Sequence, residues 1–202
     1  PPYINAGADA LLCKGSTIQL HAQGTGFFKW SPASLTSNPN LSDPVVSPLT
    51  TTTFTVTLTD QFGCENSDIV KVEVRNIPVA NAGPDQVMDN KYNATMNAVL
   101  YNDYERGVWT IISGTGEILD PNYAKTSVSG LSPKDNILIW TVSNNICPSS
   151  SDTVFIKISD LIFPTLITPN MDGRNDYLIF KGLNTKGKTE LIIFDRRGVT
   201  VF

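Results

Sequence analysis

Histidine is nearly missing from this chain: among 202 residues there is only His21, and there are three cysteines. A nucleophile–base triad or a zinc cluster needs more than one such residue, or cysteines at ligand spacing. His21 falls at a polar position of an alternating stretch, so a surface place is expected for it. No glycine-rich loop follows a strand to open a helix, which excludes a phosphate cradle of that kind. Asp and Glu are scattered, and nothing singles out a pair of the glycosidase type. The expectation is a chain that is not an enzyme and holds no cofactor.

Long apolar runs are missing too. The longest candidates, residues 136–142 and 160–168, are strand-sized against the ~20 residues that a bilayer span needs. The chain opens on Pro1-Pro2 with no basic region and no apolar core of a signal peptide, so it reads as an internal or C-terminal piece of something longer. Charged residues make up 17% and the net charge is −4. They are interspersed, which argues against the clustered basic face of a nucleic-acid binder.

What the chain does have is threonine, serine and asparagine in period-two patterns. Residues 17–22 alternate, with Ile18, Leu20 and Ala22 on one face and Gln19 and His21 on the other. Residues 53–59 set Phe54, Val56 and Leu58 against threonines. Val70, Val72 and Val74 oppose Lys71, Glu73 and Arg75. Short alternating strands with Gly, Pro and Asn turns between them predict a β-sandwich, with Phe27, Phe28 and Trp30 as its aromatic ballast.

Residues 78–159 repeat the plan. Asn5-Ala6-Gly7-Ala8-Asp9 recurs as Asn81-Ala82-Gly83-Pro84-Asp85, Trp30 answers to Trp109, Cys64 to Cys147, and Ser67-Asp68 to Ser151-Asp152. Two copies about eighty residues apart predict tandem modules with separate cores. Asn76-Ile77-Pro78 would be the short stiff connection. The expected organisation is 1–77, 78–160 and 161–202.

The first copy, with its Asn-Ala-Gly-x-Asp opening, Cys13-Lys14-Gly15, Phe28-Lys29-Trp30-Ser31-Pro32 and Gly63-Cys64, resembles the PKD-like immunoglobulin-fold repeats of large Bacteroidota surface proteins. The second, with Gly107-Val108-Trp109-Thr110 and the run from Gly114 to Pro121, resembles a sister repeat. Repeats of this kind sit in strings before a sorting domain.

The last stretch contains Thr168-Pro169-Asn170-Met171-Asp172-Gly173-Arg174-Asn175-Asp176, then Phe180-Lys181-Gly182-Leu183 and Leu191-Ile192-Ile193-Phe194-Asp195-Arg196-Arg197-Gly198. It resembles the type B, gliding-motility-associated, C-terminal sorting domain of the Bacteroidota type IX secretion system. The sorting motif carried over comprises Pro169, Asn170, Asp172, Gly173, Asn175, Asp176, Arg196 and Gly198. Two departures stand out: Arg197 replaces the aromatic usual before the last glycine, and the sequence stops about halfway through the expected domain. The fold class is therefore all-β, tandem immunoglobulin-like sandwiches followed by part of a sorting domain.

The resemblance implies export across the outer membrane to the cell surface or medium. The implied partners are the outer-membrane translocon and its shuttle or attachment proteins, with no nucleic acid and no membrane insertion. Two functions fit: a non-catalytic region of a surface adhesin or gliding-motility-associated protein, or the accessory region of a secreted glycan-degrading enzyme with its catalytic domain upstream.

An exported setting favours a disulfide within the first module, Cys13 with Cys64, both at strand ends. Cys147 is then expected as a small buried residue. Asn170, Asp172 and Asp176 offer hard oxygens that suit calcium, but a turn satisfying its own N–H groups is the expectation. Asp152-Thr153-Val154 resembles the Asp-Ser/Thr-aliphatic O-glycosylation motif, with Thr153 as acceptor. Asn93-Ala94-Thr95 matches an N-glycosylation acceptor without that meaning in a bacterium. Tyr101, Tyr104 and Tyr123 are candidates for stacking on sugars, although a sandwich of this size needs aromatics for its core.

Overall fold

The computed structural model describes residues 1–133, 135–159, 168, 171–173, 177–178, 180, 190 and 192–200. They form two compact units. One comprises Pro1–Asn81, Val99–Val108 and Thr141–Asp152; the other comprises Ala82–Ala98, Trp109–Trp140 and Thr153–Phe202.

In the first unit the strands are β1 (Ile4–Asn5), β2 (Ala10–Cys13), β3 (Ile18–Gln19), β4 (Gln23–Gly24), β5 (Phe27–Ser31), β6 (Val45–Val46), β7 (Thr52–Thr59) and β8 (Glu65–Arg75). The larger sheet runs β2-β8-β7-β5, and β1-β4 and β3-β6 are two-stranded pairs. β7 and β8 form a long antiparallel hairpin, while β2 runs parallel to β8 with Cys13 opposite Arg75. The alternation read from the sequence is the alternation of burial. Phe54, Val56 and Leu58 are buried under the threonine face, and Leu20, Trp30, Val46, Val70 and Val72 complete the core. Fully burying each such side chain contributes roughly 1.5–3 kcal/mol before entropy is counted. The aromatic run is only partly ballast: Trp30 is buried and Phe28 packs beside the core, but Phe27 is 76% exposed. Period two sends neighbours to opposite faces, so the run cannot be buried whole.

The remaining strands are β9 (Gln86–Asp89), β10 (Ala94–Thr95), β11 (Arg106–Ser113), β12 (Glu117–Ile118), β13 (Ser127–Ser129), β14 (Asp135–Ser143) and β15 (Ser150–Ser159). They form the sheets β11-β14-β15-β9 and β10-β13-β12. Trp109 and Trp140 meet in the core with ring centroids 5.1 Å apart and tilted by 43°, within the favoured range for aromatic pairs.

Three hydrogen bonds recur at matching positions of the two copies. The Trp30 indole donates to the Leu41 carbonyl and that of Trp109 to the Ala124 carbonyl. Their backbone N–H groups donate to the carbonyls of Pro39 and Pro121, both at 2.8 Å. Asp9 accepts from the Lys71 N–H at 2.8 Å, as Asp85 does from the Phe155 N–H at 2.9 Å. Gly7 and Gly83 both have positive φ, at +89° and +85°, and a Cβ there would meet the carbonyl oxygens of His21 and Asn97. The repeated Asn-Ala-Gly-x-Asp is thus a strand-entry device: a glycine for the close approach and an aspartate to fix the parallel edge strand.

The expected Cys13–Cys64 disulfide does not form. Cys13 is bonded to Cys147, with Cα atoms 5.0 Å apart, and Cys64 is free and exposed. The reason is geometric. Cys64 precedes the first residue of β8, whereas Cys13 lies opposite the last, and the strand between them is eleven residues long. At about 3.3 Å per residue that is far beyond the ~7 Å limit for a bridge. Cys147 is accordingly not a lone buried thiol.

Candidate functional site

Two places concentrate specific geometry. The first is a turn, Asp195-Arg196-Arg197-Gly198-Val199. The Asp195 carboxylate accepts from the N–H groups of Arg197 and Val199 at 2.8 and 2.9 Å. The Asp195 N–H donates to the Val199 carbonyl at 2.7 Å, the Gly198 N–H donates to the Asp195 carbonyl, and Phe194 bridges Thr200. Gly198 sits at φ +81°. This is a type I turn closed by a glycine bulge, which needs a residue that tolerates positive φ at its last position.

The same device closes the β7–β8 hairpin. Asp60 accepts from Phe62 and Cys64, Gly63 donates back to Asp60, and Gly63 lies at φ +82°. The Asp-x-x-Gly pattern thus closes both turns with the same set of bonds. What differs is the tip, Gln61-Phe62 in one turn and Arg196-Arg197 in the other.

The second place is a corner of the first unit. Segment 141–152 is fastened to the end of β8 and to the connection after it. The Asn144 side chain donates to the Asn76 carbonyl at 2.8 Å, and its own oxygen accepts from Ile146 and Cys147. Beside this, the Arg75 guanidinium lies 4.7 Å from the centre of the Tyr104 ring and pairs with Glu73 at 3.2 Å. Glu105 is a buried carboxylate, and its oxygens accept from Tyr101 N–H, Asn102 N–H and the Asn102 side chain. Those bonds hold the loop at residues 101–105. An open groove of about 390 Å³ lies here, lined by Asn76, Ile77, Val79, Tyr101, Asn102 and Glu105.

The other residues named from the sequence are placed as follows. His21 is exposed, as expected. Tyr101 and Tyr123 are exposed and Tyr104 half-buried, so the core does not use them. Thr153 is half-buried in β15 and Asn93 is exposed. Asp172 is exposed, Gly173 lies at φ +81° and Arg196 and Gly198 are exposed in the turn. Pro169, Asn170, Asn175 and Asp176 lie outside the described residues. Asp195 belongs to the run 191–198 but not to the sorting motif carried over; its signal is the spacing it shares with Asp60, three residues before a glycine.

Residues 161–202 match the CHU_C type IX secretion signal domain. That is the sorting segment, and it carries the Asp195 turn. The signal domain directs the protein across the outer membrane, to the cell surface or medium, and implies recognition by the secretion machinery. A comparison with curated proteins found no match.

The sandwiches before it have immunoglobulin-like neighbours. The I-band fragment I67–I69 from titin is similar at 15% identity with a TM-score of 0.57, over 80% of this chain and 66% of that one. DIP-gamma IG1+IG2 is similar at 14% identity with a TM-score of 0.50, over 78% and 97% of the two chains. At such identities the likeness shows the fold alone. The PKD domain of human KIAA0319 aligns at 18% identity over 40% of this chain and 80% of its own, with a TM-score of 0.36. Among the described residues, no helix is long and apolar enough to cross a membrane.

Proposed function

We propose that this chain is the non-catalytic C-terminal region of a large cell-surface adhesin or gliding-motility-associated protein. Its tandem sandwiches act as a stalk, and its sorting segment is read by the outer-membrane translocon and the shuttle or attachment proteins behind it. The observation that carries the reading is the order of parts: two sandwiches that share the same tryptophan bond, then the match to the type IX signal domain at 161–202. Repeated modules give length and a dense set of backbone bonds, which suits a spacer.

The test is a strain lacking the gene. Loss of surface attachment or of gliding, with growth on polysaccharides unchanged, is expected. Loss of glycan hydrolysis with normal attachment would instead favour the accessory region of a secreted enzyme.

A further inference from the structure

The Asp195 turn displays its two arginines rather than using them. Every residue from Ile192 to Thr200 is exposed, including Phe194 at 58% and Val199 at 59%. The Asp195 carboxylate is occupied by backbone N–H groups. Among the described residues, the ion pair present is Arg75 with Glu73, so neither Arg196 nor Arg197 has a carboxylate partner there. The charge along the sequence is also uneven. Residues 161–202 carry six Lys and Arg against four Asp and Glu, net +2, whereas residues 1–160 carry nine against fifteen, net −6. The sorting segment is thus the cationic part of the chain, in keeping with an anionic partner.

The geometry points to a partner surface: Arg196 and Arg197, held at the tip of the Asp195 turn, dock against a carboxylate-rich face of a protein of the export machinery, with Phe194 and Val199 as the apolar flank. The inference rests on the secretion reading above and adds the chemistry of recognition. Guanidinium is the cation that pairs bidentately with a planar carboxylate and bears desolvation at an interface. A two-stranded hairpin is marginal by itself, so the carboxylate cap at Asp195 pre-organises the tip and lowers the cost of ordering it on docking. The β7–β8 turn has the same backbone and a Gln61-Phe62 tip, which separates the scaffold from the charge.

The full chain behind a Sec signal, produced in a gliding type IX host, tests this by the ratio of exported to periplasmic protein. Failure of the wild-type chain to be exported would strike at the secretion reading itself. Given wild-type export, the pair Arg196→Gln and Arg197→Gln is expected to lower the ratio about tenfold or more, with intact protein held in the periplasm. Arg196→Lys with Arg197→Lys keeps more export than the Gln pair, and Gln61→Ala with Phe62→Ala exports as wild type. Wild-type export by the Gln pair overturns the proposal, as does a Lys pair no better than the Gln pair. Sedimentation of the purified chain with anionic phospholipid vesicles, lost in the Gln pair, would also overturn it by assigning the arginines to a lipid surface.

Discussion

Cys13 is joined to Cys147 across 134 residues, fastening the end of β2 to segment 141–152. In the chain-entropy account a loop of that length is worth about 5 kcal/mol. Cys13→Ser should therefore lower the unfolding free energy by several kcal/mol in that account, measured by denaturant titration under oxidising conditions. Cys64→Ser should change nothing. Alkylation of the native protein followed by mass measurement should find one reactive thiol, on Cys64; labelling at Cys13 or Cys147 would contradict the bridge.

Asp68 sets an acid limit. The Ala6 N–H, at 2.8 Å, and then the Ile69 N–H hold its carboxylate below its usual range, against a smaller opposing effect of burial. Because the folded value is the lower one, the stabilisation is present above the unfolded value and fades as pH falls through the folded value. Urea midpoints should be flat above about pH 5 and fall below about pH 4. Asp68→Asn should show a shallower fall; an equal slope in the variant would rule Asp68 out as a source.

The two tryptophans of the second core differ in a single bond. Trp109 donates its indole N–H to Ala124 at 3.2 Å, while that of Trp140 is buried without a partner. Phenylalanine at either site removes similar area. Trp109→Phe gives up a made hydrogen bond, the Ala124 carbonyl keeping the Ala98 N–H at 3.1 Å, and Trp140→Phe removes an unmet donor. The first should cost about 1–3 kcal/mol more than the second, as read from paired unfolding titrations. Equal losses would contradict the assignment.

Gly83 and Gly63 both have positive φ, yet only Gly83 is hemmed in. A Cβ there would sit 2.7 Å from the Asn97 carbonyl oxygen, whereas at Gly63 nothing lies within 4 Å. Gly63→Ala should cost about 1–2 kcal/mol for the left-handed backbone alone, and Gly83→Ala distinctly more. Thermal unfolding of the two variants decides it.

The fold was legible where its cause is local. Alternation at Phe54, Val56 and Leu58 is visible because strand period two is written residue by residue. The repeats were visible because Gly83, Asp85 and Trp109 fill the same places as Gly7, Asp9 and Trp30. The bridge was not legible. Both Cys13 and Cys64 sit at strand ends, but which end depends on β2 running parallel to β8, and that register leaves no mark in the spacing. Phe27 was misjudged for a related reason: an aromatic run looks apolar throughout, yet a strand turns every second side chain outward. At the sorting segment the glycine turn at Gly198 could be read from chain chemistry, while the carboxylate that forms it, Asp195, needed the comparison with Asp60.

The most direct measurement is export of a fluorescent reporter that carries a Sec signal and the sequence from residue 161 onward, in a gliding host. The account predicts reporter outside the cell in the parent strain and its retention in the periplasm when the type IX translocon is removed. Reporter left in the periplasm of the parent strain, or export that survives loss of the translocon, would contradict the sorting role.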